Sequence, residues 1–94
     1  THWRVIYIDR YGNGMTGIAA EQLEPSATLL VGEHQLEYAR VFAMRKPGTV
    51  FWYYNSQGLV EIAVNQGSAQ TQLRLRVGDK VTIAKSSPLA SLGF

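Results

Sequence analysis

The chain has 94 residues, 46% of them apolar and 17% charged, with a formal net charge of +2. That length accommodates one domain with a single core, leaves no room for a second domain or a deep enclosed site, and the apolar fraction excludes disorder. No stretch approaches the roughly 18 apolar residues of a membrane helix, the Arg and Lys residues are scattered rather than striped as phosphate tracking requires, and without Cys neither a disulfide framework nor a thiolate metal site can form.

Trp3 to Asp9 is rich in β-branched and aromatic residues and runs into Tyr11-Gly12-Asn13-Gly14, which predicts a strand entering a turn. A shorter strand is predicted at Met15 to Ala19. Glu24-Pro25-Ser26 then breaks the pattern, and Ala27 to Val31 and Gln35 to Phe42 flank Gly32-Glu33-His34 as a hairpin. After the turn Lys46-Pro47-Gly48, the strands Val50 to Tyr54 and Leu59 to Val64 enclose Asn55-Ser56-Gln57-Gly58, a second hairpin. Gly67 to Leu73 lacks alternation and reads as one short helix with Ser68 near its start. Gly78-Asp79 leads into a last strand, Lys80 to Ala84. Residues 86–94 carry no pattern and are expected to form a loose tail beyond a barrel domain of residues 1–85. The expected fold class is all-β: a small closed or nearly closed antiparallel β-barrel of about six or seven strands with at most one short helix, closure being favoured because it hides strand edges. The lack of a leader pattern points to the cytoplasm. The opening Thr1-His2-Trp3 has no initiator Met, which either methionine removal before Thr or excision from a longer protein would explain.

The two turns at Asp9 to Asn13 and Asn55 to Gly58 carry more polar side chains than a turn requires, and they could converge on one polar ligand. The competing structural reading is strong, because Asx side chains routinely cap turns through backbone amides two residues on, and on pattern alone it outweighs a ligand role. Glu61 lies on an apolar strand, where the favoured reading is a barrel-exterior residue and the other a buried carboxylate with a partner. Tyr11, Phe42 and Trp52 read first as packing residues. His2 at the terminus and His34 near a hairpin tip offer no general base, no zinc-ligand spacing occurs, and Gly12-Asn13-Gly14 leads into a strand rather than the helix a phosphate loop needs. No catalytic or metal-ligating residue is therefore assigned.

Two strings carry a resemblance. Ile8-Asp9-Arg10-Tyr11-Gly12-Asn13-Gly14-Met15-Thr16-Gly17-Ile18 and Asn55-Ser56-Gln57-Gly58-Leu59-Val60-Glu61-Ile62-Ala63-Val64-Asn65-Gln66-Gly67-Ser68-Ala69 resemble signatures of the C-terminal domain of the S-adenosylmethionine hydroxide adenosyltransferase family, relatives of the fluorinating and chlorinating enzymes. The first family pattern is Asp, any residue, an aromatic, Gly, Asn, two variable residues, Thr, Asn, Ile; the second contains Asn-Ser-x-Gly, Glu-Ile-Ala and Asn-x-Gly-x-Ala. The likeness runs over residues 4–84. It implies a substrate-binding domain of an S-adenosylmethionine hydrolase, which forms adenosine and methionine. The ligand would lie between this domain and the N-terminal catalytic domain of a neighbouring subunit in a homotrimer. By motif position, Asp9 and Ser56 would bind the methionine end, Asn13 the adenine edge, Tyr11 and Phe42 the faces of the base, and Asn65 and Gln66 would offer backbone groups to adenine. Gln57, the eighth substrate-binding candidate the resemblance implies, stands where the halogenating branch has Arg, which points to the hydrolase branch, and Gly17 replaces the usual Asn. The implied substrate is S-adenosylmethionine, with no cofactor, metal, nucleic acid or membrane. The water-activating residues would belong to an N-terminal domain of about 150 residues outside this sequence, so the chain alone is expected to be inactive. The alternative is a stand-alone barrel binding nucleotides or single-stranded nucleic acid through Tyr11, Trp52 and Tyr53.

Overall fold

The computed structural model describes residues 3–39 and 46–84. Seven strands are formed: β1 (Trp3–Ile8), β2 (Gly14–Ala19), β3 (Thr28–Val31), β4 (His34–Tyr38), β5 (Val50–Tyr54), β6 (Leu59–Val64) and β7 (Lys80–Ala84). A 3-10 turn, Ala20–Gln22, follows β2, and the helix α1, Ala69–Leu73, precedes β7. The strands close into a barrel in the order β1-β2-β6-β5-β4-β3-β7. The all-β barrel with one short helix therefore agrees with the sequence expectation. Phe42 and the 86–94 tail lie outside the described residues.

Six of the seven strand contacts are antiparallel; β4 and β5 run parallel, pairing Glu37 with Phe51 and Tyr38 with Trp52. Between them the chain spans residues 39–49. A crossover to a parallel neighbour needs a long connection where a hairpin needs only a tight turn.

Alternation sorts the side chains of β5 and β6 into two sets. Trp52, Val60, Ile62 and Val64 belong to the core cluster, with Val50 and Tyr54 packed against it, while Phe51, Tyr53, Glu61 and Ala63 take the opposite face. Trp52 is fully buried, its ring edge-on to Tyr38 at 5.0 Å and to Tyr54 at 5.4 Å, and its Nε1 donates to the Ala27 carbonyl at 3.3 Å. Burial of that aromatic area with its one polar group bonded makes it a principal packing element. The packing reading holds for this ring, so Trp52 offers no stacking surface to a nucleic acid.

Thr16 is buried as well. Its hydroxyl donates to the Val60 carbonyl at 2.7 Å and accepts from the Ile18 amide at 3.1 Å, where the β2 register against β6 shifts. The hydroxyl supplies the pairing that the bulge removes from the ladder. Gly17 is exposed beside it, and a Cβ there would meet only Ile6 at an ordinary 3.9 Å. The position tolerates a side chain, so the missing Asn leaves the strand itself intact.

Candidate functional site

Asp9 builds its own turn. Its Oδ1 accepts from the amides of Tyr11 at 2.9 Å and Asn13 at 3.0 Å, while the Asp9 amide donates to the Asn13 carbonyl and the Gly12 amide to the Asp9 carbonyl. This is the capping anticipated for an Asx side chain, and it leaves Oδ2 unused among the described residues. Gly12 has φ +85° and lies so close to the start of α1 that a Cβ would sit 2.0 Å from Ser68 Oγ. The Gln70 amide donates to the Gly12 carbonyl at 2.9 Å, and Ser68 Oγ caps α1 by accepting from Thr71. The first turn is thereby docked on the segment that follows β6.

Asn55 organises the second turn. Its Oδ1 accepts from the Gln57 and Leu59 amides, each at 2.9 Å, and its Nδ2 donates to Glu61 Oε1 at 2.9 Å. The hydroxyl of Tyr53, which pairs with Glu61 across the hairpin, donates to Glu61 Oε2 at 2.5 Å. Glu61 is only 8% exposed. It faces away from the barrel core, as the favoured sequence reading had it, and is at the same time the buried carboxylate with partners that was the other reading. The signal was present in the hairpin register, which sets residue 53 opposite residue 61.

These turns border two hollows that share Tyr53. A groove of about 570 Å³ is lined by Tyr11, Asn13, Phe51, Tyr53, Asn65 and Gln66, among others. The adjoining hollow, of about 390 Å³, is lined by Met15, Tyr53, Tyr54, Asn55, Ser56, Gln57 and Glu61. Six of the eight candidate residues, Tyr11, Asn13, Asn65, Gln66, Ser56 and Gln57, therefore lie around one continuous face. Asp9 lines neither hollow, its Oδ1 being bonded to the amides of its own turn, and Phe42 lies outside the described residues. Tyr53, Asn55 and Glu61 were not among the candidates.

Tyr11 is 69% exposed, with the Arg10 guanidinium 5.6 Å from its ring centre. The side-chain amide of Asn13 makes no hydrogen bond among the described residues, nor do the side chains of Ser56 and Gln57. Asn65 is more committed: its amide donates to the Thr49 carbonyl, its carbonyl accepts from Gly48, and its Nδ2 donates to the Lys46 carbonyl at 3.1 Å. Gln66 takes the left-handed conformation, φ +55°, and its backbone groups have no partner among the described residues. Free donors and acceptors thus sit on Asn13 and Gln66, facing a groove flanked by tyrosine rings.

Burial, the hydrogen bond to Glu61 and the charges of Glu61 and Asp9 push the Tyr53 phenol above its ordinary value of 10.0. A raised folded-state pKa favours the protonated folded form, so this contribution is complete below about pH 10 and is lost as the pH rises beyond it. The thermal midpoint should fall less steeply between about pH 9 and about pH 12 in Tyr53→Phe than in the unaltered chain. Equal slopes would remove Tyr53 from the alkaline transition.

A closed barrel with a polar, tyrosine-flanked groove on its outer face defines a small β-barrel domain equipped for a compact ligand of mixed polarity. The model of the SAM hydroxide adenosyltransferase C-terminal domain matches residues 3–82, and the chain belongs to that family. It is 33% identical over 79 residues to an (R)-S-adenosyl-L-methionine hydrolase of Thermus thermophilus, covering 84% of this chain and 30% of the relative. A hydrolase of the same description from Salinispora arenicola is 34% identical over 82 residues, covering 84% and 31%. Among solved structures, a conserved hypothetical protein from Thermus thermophilus superposes with a TM-score of 0.76 at 31% identity, covering 88% of this chain and 32% of that one. An uncharacterized conserved protein from Thermotoga maritima gives a TM-score of 0.75 at 26% identity, covering 89% and 35%. The chain thus spans about a third of the length of the relatives it matches.

Proposed function

We propose that this chain is the substrate-gripping C-terminal domain of an S-adenosylmethionine hydrolase, whose whole protein converts S-adenosylmethionine and water to adenosine and methionine. The observation that carries this reading is the gathering of Tyr11, Asn13, Gln66, Ser56 and Gln57 around adjoining hollows in a chain of this family. Asn13 pairs with the adenine edge through its unused amide, beside the free backbone groups of Gln66; the Asn65 backbone, already bonded, secures that segment. Tyr11 covers a face of the base, and Phe42 supplies the second face. Ser56 and Gln57 hold the amino-acid end, with Asp9 contributing charge from the first turn.

The reacting bond joins the ribose C5′ carbon to sulfur. Water attacks the carbon, the electron pair of the broken bond returns to sulfur, and the water gives up a proton as the ribose hydroxyl forms. A sulfonium is already a good leaving group, so the reading assigns no metal or cofactor, and positioning and desolvation provide most of the acceleration. The proton acceptor is placed on the N-terminal domain of a neighbouring subunit in a cytoplasmic homotrimer, and this chain contributes binding and orientation only. The chain alone should therefore release no adenosine from S-adenosylmethionine, whereas the full-length protein should, with chromatography of the products as the assay. Turnover by the purified 94-residue chain would overturn the division of labour. Among the described residues neither hollow is lined by Lys or Arg, which weighs against the nucleic-acid alternative.

A further inference from the structure

Among the described residues two that are not glycine have positive φ, Gln66 and Arg74, both at +55°. Arg74 is the left-handed C-cap of α1, an ordinary place for that conformation, whereas Gln66 caps no helix. A left-handed residue other than glycine is strained and persists where its surroundings over-determine it. Gly48 supplies that constraint: its amide donates to the Asn65 carbonyl at 2.8 Å, and its carbonyl accepts from Gln72 Nε2 at 2.9 Å. One residue thus bonds both ends of residues 65–72 and closes a ring around Gln66. Within the ring, Gly67 lies so close to Val64 that a Cβ would come 3.0 Å from Val64 Cγ1, and the Gln72 amide donates to the Ser68 carbonyl at 2.9 Å. The Gln70 amide ties the same segment to Gly12, in the turn that carries Tyr11 and Asn13. The five-residue α1 is too short to hold its shape unaided, so these bonds fix it. Neither Gln72 nor Gly48 lines either hollow.

We propose that Gln72 is a positioning residue for base recognition: through Gly48 it fixes the left-handed Gln66 and holds that residue's backbone groups at the spacing from Asn13 that an adenine edge requires. This rests on the function proposed above and adds to it a residue that touches no ligand. The competing role is structural, because Gln72 also steadies α1, and a purely structural bond would change stability without changing which base is preferred. Two substitutions separate the roles. Gln72→Glu keeps the shape of the side chain and removes the donor, whereas Gln72→Lys changes the shape and keeps a donor. Glutamine, glutamate and lysine have similar helix propensities, so α1 itself is spared.

The test is calorimetric titration of the full-length protein and both variants with adenosine and with inosine, whose base edge carries a carbonyl and a ring N–H where adenine has an amino donor and a ring acceptor. The unaltered protein should prefer adenosine. Gln72→Glu should cut that preference by about threefold to tenfold, the range of one neutral hydrogen bond, and Gln72→Lys should keep it. Both ligands are uncharged, so the charge that each variant introduces acts on them alike. An unchanged preference in Gln72→Glu, whatever its thermal midpoint, overturns the proposal in favour of the structural role. An equal loss in Gln72→Lys overturns it as well, because the bond to Gly48 is then not the cause. If the variants do not fold, hydrogen exchange of the unaltered protein decides. Coupling is reciprocal, so bound adenosine should slow exchange of the Gly48 amide severalfold more than bound inosine at equal occupancy, and equal slowing refutes the proposal. An unaltered protein that binds neither nucleoside refutes the hydrolase reading itself, a result distinct from all the others.

Discussion

Gly12→Ala should cost about 2–5 kcal/mol of folding free energy, combining a non-glycine residue at positive φ with an added methyl in a filled space. Alanine would have to hold φ +85° while its Cβ met Ser68 Oγ at 2.0 Å and Ser68 Cβ at 2.8 Å. Ser68 Oγ could rotate away at the loss of its cap, but Ser68 Cβ is fixed to the backbone, so either the Asp9 to Asn13 turn or the start of α1 must move. That is a large share of the roughly 5–15 kcal/mol that holds a domain together. Urea denaturation measures it. Ser68→Gly should partly rescue Gly12→Ala, because it removes the two closest atoms and leaves the φ strain and the lost helix cap. Costs that simply add in the double variant would show that the contact is not the cause. In the full-length protein the displaced turn should also weaken ligand binding, since Tyr11 and Asn13 ride on it.

Asp9 and Asn13 should both weaken binding when altered in the full-length protein, by chemically different routes. Asn13→Ala removes a bidentate partner of a neutral base and should cost about 1–3 kcal/mol, with a reduced preference for adenine over other bases. Asp9 requires a different substitution, because alanine would also strip two amides of their acceptor in the turn. Asparagine keeps an Oδ1 for both amides and removes only the charge. Asp9→Asn should leave thermal stability nearly unchanged and cost on the order of 2–5 kcal/mol of binding if the charge pair is desolvated, without altering base preference. Calorimetry with S-adenosylmethionine, adenosine and methionine separates the two. If Asn13→Ala affects only methionine, or if both variants change stability and no affinity, the turns are structural and the residue roles fail.

Strand positions were legible because most are rich in β-branched or aromatic residues and are set off by turns containing Gly, Pro or Asn. The helix was legible from the loss of alternation after Gly67, and Ser68 does cap it. The parallel pairing of β4 with β5 was not, because no local pattern specifies which neighbour a strand finds after a long connection. Much of the site was readable from two motifs, and the fold explains why: the strands that end in those turns, β1, β2, β5 and β6, are consecutive in the sheet. Glu61 was read rightly as facing out of the barrel, but its burial was not favoured, because the partners that cover an outward carboxylate are unknown until the residue opposite it is known. Trp52 shows the converse, since Phe51 to Tyr54 is aromatic throughout and only the pleat decides which rings turn inward.

The seam of the barrel sets the order in which the molecule can be made. Trp3 pairs with Val81 and Arg4 with Lys80, joining the first strand to the last. During synthesis β1, β2, β5, β6 and α1 can all meet once residue 73 has emerged, so the ligand face can form before the barrel does. Closure waits for β7, and such distant pairings place folding in the slow, millisecond-to-second regime of β-barrels. Until then β1 and β3 each present an unpaired edge to neighbouring chains. A nascent chain stalled before residue 80 is consequently the form of this domain most exposed to aggregation.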